Sequence, residues 1–124
     1  TDATAVDFTV LNEFKEVLGP QSGQVMAEVI AMFLHHAPKL LTDIKSGLNE
    51  RDIEAVRSAA HTLKPNAAQL GALRLSSLCS EIENMALSDS LDNAAETLAE
   101  AMAEYQRVKA VLEAEEQNYR NPQA

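Results

Sequence analysis

The stretch "IEAVRSAAHTLKPNAAQLG", residues 53–71, decides the fold. Its apolar residues Ile53, Val56, Ala60, Leu63, Ala67 and Leu70 recur at alternating steps of three and four, the repeat of one face of an α-helix. Pro65 lies inside this repeat. It has no N–H to offer the carbonyl of His61, four residues back, and its ring crowds that carbonyl. The stripe nevertheless keeps its phase on both sides of the proline. The segment therefore predicts one kinked helix rather than two, closed by Gly71. Why a helix carries such a defect one turn past a histidine is the question the stretch poses.

Working outward, four more helices are expected. The first spans about 6–18, with Val6, Val10, Phe14 and Val17 on one face, and "GPQSG" (19–23) ends it. The second spans about 24–47 with the stripe Met26, Ile30, Phe33, Ala37, Leu40 or Leu41, Ile44 and Leu48, and a kink at Pro38. In "LNERD", Asn49 can cap the next helix, with Glu50 and Asp52 near the positive end of its dipole. The fourth helix, about 73–86, buries Leu75, Leu78, Ile82 and Met85. The fifth, about 91–116, carries Leu91, Ala95, Leu98, Met102, Tyr105, Val108 or Lys109, and Leu112. The polar tail from about 117 is expected to fray. Short links between long amphipathic helices imply antiparallel neighbours. The fold class is all-α, an antiparallel four-helix bundle with an additional N-terminal helix, and residues 1–124 read as a single domain.

Composition agrees. Apolar residues make up 46% of the 124, enough for one core, while aromatics are 4% and Trp is absent. The core must be aliphatic. A formal charge of −9 with no Lys/Arg run argues against nucleic acid and anionic membrane surfaces and favours a protein partner. Cys79 is the sole cysteine, so no internal disulfide can form, which is compatible with the expected cytoplasmic location. No apolar run is long enough to span a bilayer, and no membrane contact is expected. The chain opens at Thr1 rather than Met, compatible with excision from something longer. A monomer is expected, since one bundle can satisfy every stripe.

A bundle does not name a function, so chemistry must come from particular residues. Arg57, His61, Lys64 and Ala68 are three or four residues apart, in one line along the third helix. The imidazole is bracketed by two cations and then by small residues, Ala67, Ala68 and Gly71. Cations disfavour a further positive charge on the ring, leave it a lone pair, and attract a phosphoryl group. That is what nucleophilic capture of a phosphoryl group needs. Spacing alone also fits a solvated surface histidine. If the third and fourth helices pair about Gly71, Glu83 comes level with His61. A carboxylate there could accept the imidazole N–H and fix its tautomer; a solvated helix charge is the other reading. His35 and His36 are adjacent and so do not face one way, which disfavours a two-ligand site, and Cys79 reads as a small buried hydrophobe. No phosphate-cradling glycine loop, His-Glu-x-x-His or Gly-x-Ser-x-Gly is present. Any phosphoryl group, and any Mg²⁺, must then come with a partner.

"AAHTLKPNAAQLGALRLSSLCSEIE", residues 59–83, resembles the signature of histidine phosphotransfer (HPt) domains. The agreement runs through Ala60, His61, Leu63, Lys64, Leu70, Gly71, Leu75, Cys79, Ile82 and Glu83. "IAMFLHHAPKLLTDIKSGLNERD" (30–52) looks like the helix before the motif. The resemblance implies a phosphocarrier without its own ATP-binding domain. His61 would accept the phosphoryl group on Nε2, Lys64 would neutralise it, and Glu83 would orient the imidazole. Arg57, Pro65, Ala68 and Gly71 would meet the partner. The implied partners are receiver domains, which bring the Mg²⁺, and a hybrid sensor histidine kinase; no resident cofactor is implied. The departure is Pro65-Asn66, where the family usually has Gly and a small Ser. Glycine there gives clearance for docking. Proline is compact too, so the defect is expected to follow from an open docking surface at His61. A binding-only adaptor is the alternative, and a metal- or haem-binding bundle a third, which needs His35 or His36 to face the interior.

Overall fold

The computed structural model describes residues 5–121. Five α-helices follow in order: α1 (Phe8–Leu18), α2 (Ser22–Asn49), α3 (Ile53–Gln69), α4 (Leu73–Leu87) and α5 (Ala94–Arg120), with a 3₁₀ turn at Gly19–Gln21 between the first two. Helices α2 to α5 form a closed ring in which each packs on two neighbours: α3 on α2 and α4, and α5 on α2 and α4. Three-residue links between α2, α3 and α4 force antiparallel pairing. Helix α1 lies outside the ring against α2 and touches α3. No strand occurs among the described residues. This is the expected four-helix bundle with an added N-terminal helix.

The core is aliphatic, as the composition demands. Val56, Ala60, Leu63 and Ala67 of α3 are wholly buried, and they meet Ile30, Leu41 and Ile44 of α2 and Leu75, Leu78 and Ile82 of α4 in one cluster. Helix α3 runs unbroken through Pro65, and α2 through Pro38. Both prolines are exposed, so the missing N–H falls on a face that water can reach. At Pro38 the orphaned carbonyl is that of Leu34. The Tyr105 hydroxyl of α5 donates to it at 3.4 Å, a long bond that also ties α5 to α2.

Several boundaries and faces differ from expectation. Helix α1 buries Leu11 completely, with Phe14 and Leu18 packed beside it, while Val17 is 82% exposed. Val6 is buried, but in the segment before the helix. Its place is fixed by the backbone: the Asp7 N–H donates to the Gly71 carbonyl (2.8 Å), and the Asp7 side chain then caps Thr9 (2.9 Å). Asn49 does not cap α3 but ends α2, and Asp52 takes the role, accepting from the Ala55 N–H at 3.1 Å. In α4 the buried set is Leu75, Leu78, Cys79, Ile82, Glu83 and Ala86, with Met85 only half-buried. In α5, Ala94, Thr97 and Leu98 face inward and Ala95 outward. The helix also outlasts the expected fray at 117, reaching Arg120. Tyr119 is the reason: half-buried, its ring lies 5.5 Å from Lys15 Nζ of α1.

Gly71 holds this arrangement together. It is buried, adopts φ +84°, and a Cβ built there would lie 2.5 Å from the Asp7 carbonyl oxygen. Gly71→Ala must strain the backbone and push the N-terminal segment off the α3–α4 turn. The expected cost is roughly 2–4 kcal/mol, read from urea unfolding midpoints at unchanged m-value.

Candidate functional site

Helix α3 turns its small and apolar face inward and leaves His61 on the outside, its side chain 60% exposed. The antiparallel turn at Gly71 sets α4 beside it and brings Glu83 level with His61. Glu83 Oε2 lies 2.7 Å from His61 Nδ1, and the Lys64 ammonium donates to Glu83 Oε1 at 2.8 Å. The Glu83 side chain is only 10% exposed. A carboxylate so far from water must have partners, and it takes one for each oxygen. Its ionised form is favoured: the Lys64 hydrogen bond holds the Glu83 carboxyl below its ordinary range, against desolvation, with the His61 bond adding to the effect.

The geometry bears on the imidazole directly. An ionised carboxylate only accepts, so Nδ1 carries the proton. In the neutral ring Nε2 then holds the lone pair. The ring is mostly exposed on the side away from α4, so Nε2 is the nitrogen open to an incoming group.

The cations are less free than the sequence suggested. Arg57, one turn before His61, lies against Glu54 with its Nε donating at 3.1 Å. Lys64 is bound to Glu83, a contact that the sequence did not give away. Each cation is thus matched by one carboxylate. Residues 55–80 contain no Asp or Glu in a chain that has 19. The fold adds Glu83 beside the ring, Glu54 beside Arg57, and Glu100 and Glu104 beside Arg74.

Pro65 is exposed and Ala68 half-buried on the same helix. Gly71 corrects the expectation of a partner contact: it is buried under Asp7 and serves the turn. Cys79 is fully buried beneath the site, and desolvation pushes its thiol up to about 12, which leaves it a protonated, unreactive packing residue. His35 and His36 are both exposed, their rings edge to face at 5.0 Å, so neither faces the bundle interior as a metal or haem site there would need.

One feature had no sequence signal. A groove of about 570 Å³ runs between α2 and α3 on the flank of His61 opposite Glu83. Val29, Met32 and Leu40 line it from α2, Thr62 and Asn66 from α3, and His36 stands at its edge. Met32 is 60% exposed, unusual for so apolar a side chain. The exposed apolar residue between stripe positions was visible in the sequence, but its alignment with α3 depends on helix register.

Comparison with known proteins bears on this site. The family model for the Hpt domain matches residues 28–118, which covers α3, α4 and the whole His61–Glu83–Lys64 array. This chain belongs to the Hpt domain family. It is 32% identical over 87 residues to the sensor protein TorS of Escherichia coli K12, covering 70% of this chain and 9% of TorS. To the phosphorelay intermediate protein YPD1 of Candida albicans it is 27% identical over 92 residues, 74% of this chain and 50% of YPD1. The chain thus spans half or less of these relatives. The crystal structure of histidine-containing phosphotransfer protein B from Pseudomonas aeruginosa PAO1 shares the fold, with a TM-score of 0.85 and 24% identity over 95% of this chain and 99% of that one.

The Glu83 pair gives this Hpt domain a pH signature. Because its carboxyl is held low, the unfolded chain binds that proton more tightly than the folded one. The stability it contributes is complete above the ordinary carboxylate range and is lost as pH falls through the depressed folded value. The gap in unfolding free energy between the native chain and Glu83→Gln is therefore widest near neutrality and narrows below about pH 4. Urea titrations across that range measure it; a gap that stayed constant would mean that the carboxylate's charge contributes nothing.

Proposed function

We propose that this Hpt domain is a phosphorelay intermediate, accepting a phosphoryl group on His61 from a receiver-domain aspartyl phosphate and passing it to another receiver. The observation that carries this reading is the Nδ1 contact: an exposed imidazole whose inner nitrogen is held by a buried carboxylate. The lone pair on Nε2 attacks phosphorus, the N–P bond forms, and the acyl P–O bond breaks with its electron pair left on the donor carboxylate. The Nδ1 proton stays in place, and the positive charge on the ring faces Glu83. Lys64, 35% exposed and bound to the same carboxylate as His61, has further ammonium protons to offer the phosphoryl oxygens. The Mg²⁺ that neutralises the developing charge belongs to the receiver, and the donors upstream include a hybrid sensor histidine kinase.

The stretch 55–80, with Arg57, Lys64 and Arg74 and no acid of its own, suits a partner whose active site is rich in carboxylates. The α2–α3 groove gives such a partner an apolar seat beside the histidine. Arg57, Pro65 and Ala68 flank the other approach. Pro65 leaves the His61 carbonyl without its helical donor at a position where a docking surface, rather than bundle packing, would cover it. A binding-only adaptor would have no need of a buried carboxylate on Nδ1, so the array favours transfer over docking alone.

Phosphoramidate, a small donor, tests the acceptor without any partner. Intact mass is expected to show one acid-labile phosphoryl group on the native chain and none on His61→Gln. An identical adduct on both would remove His61 from the reading and leave the adaptor. The groove is tested separately. Met32→Asp puts a charge on its exposed apolar wall and is expected to slow transfer from a phosphorylated receiver roughly tenfold or more, while loading from phosphoramidate is unchanged. Equal slowing with both donors would place the effect in the chemistry rather than in docking.

A further inference from the structure

Inside an α-helix each carbonyl accepts from the N–H four residues on. Pro38 removes that donor from Leu34 in α2, and Pro65 removes it from His61 in α3. The fold treats the two carbonyls differently. Leu34 receives the Tyr105 hydroxyl of α5 at 3.4 Å. Around Pro65 the spare hydroxyls go to other carbonyls: Thr62 donates to Ser58 at 3.0 Å, and Ser76 of α4 donates to Lys64 at 2.9 Å. Among the described residues no side chain donates to the His61 carbonyl. His61 and Pro65, which flank it, are both exposed, and Thr62 and Asn66 beside them line the α2–α3 groove. The acceptor left without a helical donor thus belongs to the residue that a partner must cover.

Resting on the reading of His61 as acceptor, we propose that the His61 carbonyl is a docking point that selects receivers presenting a hydrogen-bond donor to the 61–65 turn of α3. Water satisfies this carbonyl in the free domain. A stable interface covers about 800 Å² on each partner, far more than one helical turn, so a receiver close enough to exchange the phosphoryl group displaces that water. A side-chain amide, a hydroxyl or a backbone N–H placed there replaces the lost bond. A receiver with an apolar side chain at this point leaves the carbonyl covered and unpaired, and the complex bears the full desolvation of the acceptor. Specificity then comes from a penalty on the wrong partner as much as from a contact with the right one. Pro65 is the specificity-determining residue, and it acts through the N–H that it lacks.

The test restores the missing donor. Pro65→Ala and Pro65→Val both supply an N–H at position 65, and valine also keeps a side chain close to the size of the proline ring. The probe is a receiver domain chosen because it takes the phosphoryl group from the phosphoramidate-loaded native chain. Both variants are expected to unfold at higher urea concentration than the native chain, because α3 gains its missing bond. Both are expected to bind the receiver roughly threefold to tenfold more weakly, because the partner's donor meets a carbonyl that is already engaged. Greater stability with weaker docking is a combination that a merely structural role for Pro65 would not produce. Native affinity in both variants overturns the proposal. Weaker binding in Pro65→Ala alone assigns the effect to packing of the ring and also overturns it. Loading from phosphoramidate, which needs no docking, is the control: slowing of loading equal to the slowing of transfer places the effect in the chemistry of His61 and overturns the proposal. Should a variant fail to fold, the ¹³C shift of the His61 carbonyl, detected through the Thr62 amide in the native complex, decides instead. It is expected to keep its hydrogen-bonded value when the receiver binds, and an upfield move to that of an unpaired carbonyl overturns the proposal. Failure of the native chain to load, or to pass its phosphoryl group to any receiver, overturns the underlying reading of function, an outcome distinct from any difference between the native chain and the variants.

Discussion

The site depends on one buried charge. Glu83 sits on the inward side of α4, among Cys79, Ile82 and Ala86, where an ionised carboxylate has almost no water. A charge so placed is tolerated only when each oxygen is engaged. The partners must come from α3, the helix packed against it, and they are His61 and Lys64. The demand of the core is thereby exported to the surface. The imidazole is oriented and its tautomer chosen because a carboxylate below needs a donor, and the same carboxylate holds the lysine one turn on. Orientation and charge balance at the histidine are consequences of packing α3 on α4.

How much of this was legible follows from how far each inference reaches along the chain. The stripe from Ile53 to Leu70 is a local signal repeated over several turns, strong enough to outweigh a proline, and it gave α3 and the bundle. The pairing of His61 with Glu83 required one further step, an antiparallel turn at Gly71. That step was available because a glycine ends the stripe and the next apolar repeat begins at once. The tie between Lys64 and Glu83 was not available, because the rotamer of a long side chain is chosen by its surroundings. Helix α1 was misphased because Val10 and Val17 are as apolar as Leu11 and Leu18; what decides between the faces is the hydrogen bond from Asp7 to Gly71, which lies far off in sequence. The groove was illegible for the same reason: it belongs to the register between two helices and to neither alone. Asn49 lost the cap to Asp52 because α2 continues one residue past Leu48, the last of its apolar stripe, and takes Asn49 into its own last turn.

The two prolines show what a helix defect costs in different settings. Each removes one donor from an otherwise continuous helix. At Pro38 the freed carbonyl of Leu34 meets the Tyr105 hydroxyl, and the defect becomes a cross-bundle tie between α2 and α5. At Pro65 the freed carbonyl belongs to His61, on the exposed side of α3, where solvent can satisfy it for as long as no partner sits there. A partner that dries this surface must bring a donor to that carbonyl or accept the penalty of an unpaired acceptor. A defect of this kind costs little in the free protein and acquires energetic meaning on docking.

Charge gives the approach a direction. The chain is strongly acidic, so its long-range field repels another acidic protein from most sides. The sequence is free of Asp and Glu over residues 55–80, where Arg57, Lys64 and Arg74 occur, and the fold pairs these with Glu54, Glu83 and Glu100. Glu83, the carboxylate in contact with the ring, is buried and already bound to two donors, so it contributes little to the field outside. Repulsion of an acidic partner is thus weakest toward the face that carries His61 and its neighbouring cations. At contact range the field gives way to shape. The α2–α3 groove lies on one flank of α3 and the Glu83–Lys64 pair on the other, so a partner seated in the groove is next to the exposed histidine. Weaker repulsion at this face and an apolar seat beside the histidine favour the same approach.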